Sequence, residues 1–287
     1  MVEASFIFLL GLAVAGTAIG TYSDIKTRLV PDYINYFMIF AGFGSHAIIS
    51  VLQNNAWPLL FSLAGAGALF GIGYLLYKVG AWGGGDTKLL TAYGAIFAPF
   101  PAVAIWPYIL SLWINILIFG ALFGIIGMFL LLYKHRDKSV PALKQYVTKH
   151  KYVAYSLAGI AIPSAVLSAY DSVFLISFFV IFLAVLVLIF SVVEKTCLVK
   201  KIRPAQLVEG DWITSSVKTK DFVYEPKKSG AEKNDIENLI KLEKEGKLDS
   251  IEVKDGLPYL PAFLAAVIAT AAYGDIFYNT ITKFMGV

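Results

Sequence analysis

Ser23-Asp24-Ile25-Lys26-Thr27-Arg28-Leu29-Val30-Pro31-Asp32-Tyr33 separates two apolar runs, near 4–22 and 34–52. The rest of the chain is built largely from such runs. A helix that crosses a bilayer needs roughly 20 mostly apolar residues. Eight candidate runs lie near 4–22, 34–52, 58–77, 88–105, 107–133, 152–169, 173–193 and 259–280. With 58% hydrophobic and 15% charged residues and a mean hydropathy of +0.70, a soluble domain is excluded. The pattern predicts an all-α polytopic membrane protein of about eight transmembrane helices. The fourth run is the weakest, because Pro99, Pro101 and Pro107 crowd its exit. Ala13-Val14-Ala15 has the small residues of a signal cleavage site, but nothing basic precedes the run, so an uncleaved span is expected.

The polar stretches carry the orientation. With the amino terminus outside, the inside segments are 23–33, 78–88, 134–151 and 194–258, holding 2, 2, 6 and 13 Lys and Arg residues. Lys283 alone falls outside, and the loops at 53–57, 99–107 and 170–172 have none. This positive-inside bias places Asp24 and Asp86 on the cytoplasmic side of a cell membrane. The net charge of +4 therefore marks topology, with lipid headgroups as neighbours, and gives no reason to expect nucleic acid. The basic stretch at 134–151 reads as a solvated loop. One cysteine and three histidines argue against a disulfide framework or a metal site, and no cofactor is expected.

The organisation expected is a membrane domain at 1–193, a cytoplasmic insert at 194–257 and a final span within 258–287. The insert reads as a small α+β module, structural or substrate-docking. Leu198–Ile202 and Trp212-Ile213-Thr214 are strand candidates separated by a turn at Glu209-Gly210-Asp211, and Ile251-Glu252-Val253 closes the module. Asn234 with Glu237 has the spacing of a capping box, followed by an apolar face of Ile236, Leu239 and Ile240.

A carboxylate at a membrane edge is costly and rare without a reason, which makes Asp24 and Asp86 the candidate catalytic pair. Asp86 stands in Gly83-Gly84-Gly85-Asp86-Thr87-Lys88-Leu89. Each glycine weakens a helix by about 1 kcal/mol relative to alanine, so three in a row make a break where backbones approach closely and an extended substrate could lie. Two carboxylates that share a proton can cleave a peptide: one activates water, and the other, protonated, polarises the carbonyl. Taken singly, Asp24 could pair with Lys26 or Arg28, and Asp86 with Lys88. No Gly-Lys-Ser/Thr ends the glycine run, which excludes a P-loop. Asp32 follows Pro31 and reads first as a helix cap and second as a site residue. Gly83, Gly84, Gly85, Lys88, Lys26 and Asp32 are the candidate substrate-binding or supporting residues. Pro141-Ala142-Leu143, a tripeptide associated with presenilins, falls in the basic stretch and reads as coincidence.

Together these motifs resemble the type IV prepilin peptidases, membrane aspartyl proteases of the Gly-x-Gly-Asp type, and among them the archaeal preflagellin and prepilin peptidases. The likeness lies in Asp24-Ile25-Lys26-x-x-Leu29-Val30-Pro31-Asp32-Tyr33, in Gly83-Gly84-Gly85-Asp86 extended through Leu89 to Gly94, and in Gly256-Leu257-Pro258-Tyr259-Leu260-Pro261. It implies a six-span catalytic core and cleavage of pilin or archaellin precursors after a short basic leader, at the cytoplasmic membrane face. Bacterial members that also N-methylate carry a Cys-rich domain; its absence here predicts no methyltransferase activity. The alternatives are a presenilin-like intramembrane protease and a proton-coupled transporter with a broken helix.

Overall fold

The computed structural model describes residues 2–103, 106–167, 172–218, 222–227 and 230–285. Residues 168–169 of the sixth run, 170–171 of the following loop, 104–105 of the loop at 99–107, and Lys220 and Lys228 of the basic count lie outside the described residues.

The stretch between the first two runs is a tight turn between α1 (Val2–Thr27) and α2 (Asp32–Leu52). Arg28 takes a left-handed φ of 59°, and its N–H still bonds Asp24 O, which ends α1. Ser23 Oγ donates to Leu29 O at 2.8 Å, tying the turn back to the helix. Pro31 then precedes α2 in extended conformation, where its fixed φ suits a helix entry. The side chain of Asp32 makes no cap bond; it pairs instead with Lys88 at 2.6 Å. The capping role expected of Asp32 is thus replaced by a tie to another helix.

α3 (Trp57–Lys78) leads into α4 (Gly84–Phe97). At 14 residues α4 rises about 21 Å, short of a hydrocarbon core about 30 Å thick. The fourth run, expected at 88–105, is therefore a shorter helix displaced toward the glycines. It stops ahead of Pro99 and Pro101, and a two-stranded turn follows, β1 (Ala102–Val103) against β2 (Trp106–Pro107). α4 is the buried centre of the bundle: Leu89, Leu90 and every residue from Ala92 to Phe97 are buried. Backbones touch where Gly94 faces Gly65 of α3, with no room for a β-carbon on Gly94. Tyr93 Oη and Thr17 Oγ1, 2.7 Å apart, link α4 to α1, and His46 Nε2 of α2 reaches Ile96 O at 2.9 Å.

α5 (Tyr108–Lys134) is followed by α6 (Arg136–Lys149), α7 (Lys151–Leu167) and α8 (Ser172–Cys197). The basic stretch at 134–151 is thus largely a helix, α6, and not a loop. α8 continues to Cys197, so the polar segment leaves the bundle after it. Three strands, β3 (Val199–Ile202), β4 (Trp212–Ile213) and β7 (Ile251–Lys254), form an antiparallel sheet in the order β3-β7-β4. A second pair, β5 (Val217–Lys218) with β6 (Val223–Tyr224), and helix α9 (Lys233–Lys244) complete this unit. It has its own core of Leu207, Ile213, Tyr224, Leu239, Leu242, Ile251 and Val253. The three expected strands lie within a residue of β3, β4 and β7 and the turn where expected, whereas β5 and β6 were not expected. The helix start differs: Glu232 is the cap residue and Asp235 bonds back to its N–H at 3.0 Å, displacing the Asn234–Glu237 pair.

The chain closes with α10 (Leu260–Tyr273) and α11 (Ile276–Met285), bent by 53° at Gly274-Asp275. Asn115 of α5 holds that bend, donating to Thr270 Oγ1 and Gly274 O and accepting from Ile276 N. Among the described residues five helices are long and apolar enough to cross a membrane, or six with this bent pair as one. That is fewer than the eight runs, because α4 is too short and α7 is described only as far as Leu167, where 17 residues of helix meet the undescribed ones. The architecture is that of a helical, multi-pass membrane protein.

Candidate active site

Asp24 occupies the last turn of α1 and is buried, 7% exposed. Its Oδ2 accepts the backbone N–H of Leu260 at 3.1 Å. Leu260 is the first residue of α10, and its N–H is one of the donors that a helix start leaves free. Pro258 and Pro261 bracket this start and lack N–H groups of their own; the two N–H groups between them, of Tyr259 and Leu260, both act on Asp24. The guanidinium of Arg28 also acts on it.

Asp86 has a parallel arrangement on α4. It stands in the first turn, and its Oδ2 accepts the N–H of Gly83 at 2.9 Å. Asp24, at the C-terminal end of α1, faces the positive end of α10, while Asp86 sits at the positive end of its own helix, where a carboxylate is favoured. Thr87 fixes that end in place, donating to Gly73 O of α3 at 3.0 Å. Trp82, just before the glycines, is buried against Trp113, Tyr259 and Phe263, with ring centroids 5.4–5.6 Å away. This aromatic cluster sets the start of α4 against α5 and α10.

The glycines divide their roles. A β-carbon on Gly85 would lie 2.9 Å from Val30, so the α1–α2 turn packs directly on that backbone. Gly84 faces open space. Asp24, Asp86, Gly83, Gly84, Gly85, Asp32 and Lys88 all line one cleft of about 590 Å³, and Asp24 is a charge that bears on Asp86. Lys26 does not join them; it is exposed, and its Nζ bonds Tyr22 Oη at 3.1 Å. Neither aspartate forms the local ion pair that its following lysine allowed, since Lys88 is taken by Asp32.

Three features in or beside the cleft were not placed at the site by the sequence, although a substrate-docking role for the insert was one of its expectations. The Leu260 N–H and the Trp82 cluster come from distant helices; the Pro-flanked segment at 256–261 was their one trace in sequence. The third is a wall from the 199–254 unit: Val208–Trp212, Ala231, Glu232 and 254–257 face the same cleft. Among the described residues no group of His, Cys, Asp or Glu could hold a metal.

Residues 7–134 match the model of the type IV leader peptidase family. The motif resemblance is therefore to type IV leader peptidases. Prepilin peptidase EppA of Methanothermobacter thermautotrophicus is 27% identical over 145 residues, 45% of this chain and 38% of that protein. The preflagellin peptidase of Methanococcus voltae is 29% identical over 146 residues, 47% of this chain and 62% of that protein. That of Methanocaldococcus jannaschii is 27% identical over 118 residues, 38% of this chain and 50% of that protein. The chain thus spans about half the length of the curated relatives it matches. No solved structure matches it. The leader peptidase match takes in both aspartates and ends with α5, so Leu260 and the 199–254 unit lie beyond it.

Proposed function

We propose that this protein is a membrane aspartyl endopeptidase that removes the leader of pilin-like or archaellin precursors. The carrying observation is the shared cleft: two carboxylates from the two motifs, on separate helices, face one polar cavity at one end of the bundle. Gly84, open beside Asp86, leaves space for an extended substrate backbone. The leader peptidase match and the names of the relatives support the same reading.

In the proposed reaction Asp24 is the base and Asp86 the acid. Both anions accept a backbone N–H, Asp24 from Leu260 and Asp86 from Gly83, but Asp24 also has the Arg28 guanidinium, whereas the charge bearing on Asp86 is Asp24 itself. The shared proton therefore rests on Asp86. Asp24 takes a proton from water as the oxygen attacks the scissile carbonyl, and Asp86 donates to the carbonyl oxygen. Collapse of the tetrahedral intermediate returns that proton to Asp86 as the C–N bond breaks, and the proton held by Asp24 passes to the leaving amine. The charge bias along the sequence supports an active site facing the cytoplasm, with the amino terminus outside.

Co-expression with a pilin precursor and mass spectrometry of the product amino terminus test this reading. A single new terminus just ahead of the precursor's hydrophobic helix is expected. An intact precursor, with the protein correctly inserted, would overturn it.

A further inference from the structure

We propose that the cavity between α6, α7 and α8 holds one anionic phospholipid, with its phosphate against the lysines of α6 and an acyl chain inside. This goes beyond the peptidase reading and is independent of it, since the leader peptidase match ends at residue 134 and these three helices follow. The cavity measures about 350 Å³, the size of a small-ligand site. Tyr146 and His150 of α6, with ring centroids 4.7 Å apart, are the two polar side chains of its lining. It follows α7 from Val153 to Ala161 and α8 from Ile181 to Ile189, about 12 Å of each helix. His150 stands where α6 meets α7; from Leu157 onward α7 presents only aliphatic side chains to it. The space is therefore elongated, polar at one end and apolar at the other.

The charge around the polar end gives the occupant. Lys134, Arg136, Lys138, Lys144, Lys149 and Lys151 stand against a single acid, Asp137. All six cations are exposed, and none forms an ion pair among the described residues. Along α6, Leu143, Tyr146, Val147 and His150 share the cavity face, and helical spacing puts Lys144 at one border of that face and Lys138 and Lys149 at the other. A helix with lysines bordering an apolar face lies at headgroup level and attracts anionic lipid. Exposed Tyr133, Tyr152 and Tyr155, where α5 ends and α7 begins, mark the same level. A partner helix, 10–12 Å across, would need roughly 1,000 Å³ over this length, far more than the cavity offers. A phosphate alone would make no use of the apolar end. A phospholipid matches both ends.

The test uses the full-length protein in phosphatidylcholine nanodiscs doped with phosphatidylglycerol or phosphatidylcholine, each spin-labelled on an acyl chain. The immobilised fraction of each label is read. The unaltered protein should hold phosphatidylglycerol about tenfold more tightly than phosphatidylcholine, at one site per chain. The triple variant Lys144→Gln, Lys149→Gln, Lys151→Gln changes only exposed side chains and should lose that preference. Ala161→Phe, which fills the cavity and leaves every lysine in place, should lose it too; Ala158→Leu does the same with a smaller side chain. Phosphatidylglycerol should raise the melting temperature of the unaltered protein and of none of these variants. Equal retention of the two lipids by the unaltered protein would overturn the proposal. So would a preference that survives both cavity variants, since the lysines would then attract a lipid surface without a site. Displacement of the label by glycerol 3-phosphate would overturn it as well, because the headgroup alone would suffice. A dimer that Ala161→Phe abolishes would make the occupant a second copy of the chain, and would also overturn it.

Discussion

The backbone N–H of Leu260 donates to Oδ2 of Asp24 across 3.1 Å, joining α10 to α1 through residues 236 apart in the chain. Asp24 is thereby oriented from outside its own helix, while Asp86 is oriented by Gly83 within its own motif. The two carboxylates are held by independent supports, which makes their roles separable by mutation.

Asp24→Asn and Asp86→Asn should each lower cleavage by at least about a hundredfold, the scale of a lost acid or base. The carboxamide oxygen still accepts from Leu260 or Gly83, so both variants should insert and melt like the parent. Precursor processing and thermal unfolding in detergent, measured side by side, check this.

Asp32→Asn should have a milder effect. The Lys88–Asp32 pair is 34% and 56% exposed, and such pairs contribute about 1 kcal/mol or less. Cleavage should fall less than about tenfold, and more at low salt than at high. The reciprocal exchange, Asp32→Lys with Lys88→Asp, should recover most of the loss.

Gly85→Ala drives a methyl group into Val30, and overpacking of this kind costs about 1–3 kcal/mol. A lower melting temperature and reduced cleavage are expected. Val30→Gly in the same chain, which removes both carbons that the methyl would meet, should restore both. Failure of that rescue would assign Gly85 a role in contact with substrate.

Burial holds the Asp211 carboxyl above the ordinary carboxylate range, against the Val208 N–H and Lys200 that favour its charge. A raised folded-state pKa means that the folded protein binds this proton more tightly than the unfolded chain. Ionisation therefore costs stability; the cost is absent below the unfolded value of about 4, grows as pH rises toward the folded value, and is constant above it. Asp211→Asn should slow hydrogen exchange in the 199–254 unit at neutral pH and change it little near pH 3.

The sequence was most legible where chemistry is local. Asp24 and Asp86 stand out because each interrupts an apolar pattern. The strands around the turn at Glu209-Gly210-Asp211 follow from alternation and turn residues. The length of α4 was misread because Ala98, Phe100 and Ala102 extend its apolar composition past the prolines that end it. The α9 start was misplaced because Glu232–Asp235 and Asn234–Glu237 offer the same spacing two residues apart, and the earlier pair forms. Leu260 left only an indirect trace, the proline-flanked segment at 256–261, since its contribution is a backbone N–H that any residue but proline would supply.

Val199 pairs with Lys254 across the β3–β7 ladder, so the 199–254 unit leaves and re-enters the bundle at one place. Such a unit is an exchangeable cassette. Its loops could be lengthened, recharged or replaced wholesale without changing the separation of α8 and α10, and so without disturbing the Leu260 N–H that orients Asp24. Substrate repertoire could then diversify in one part of the chain while the chemistry stays constant in another.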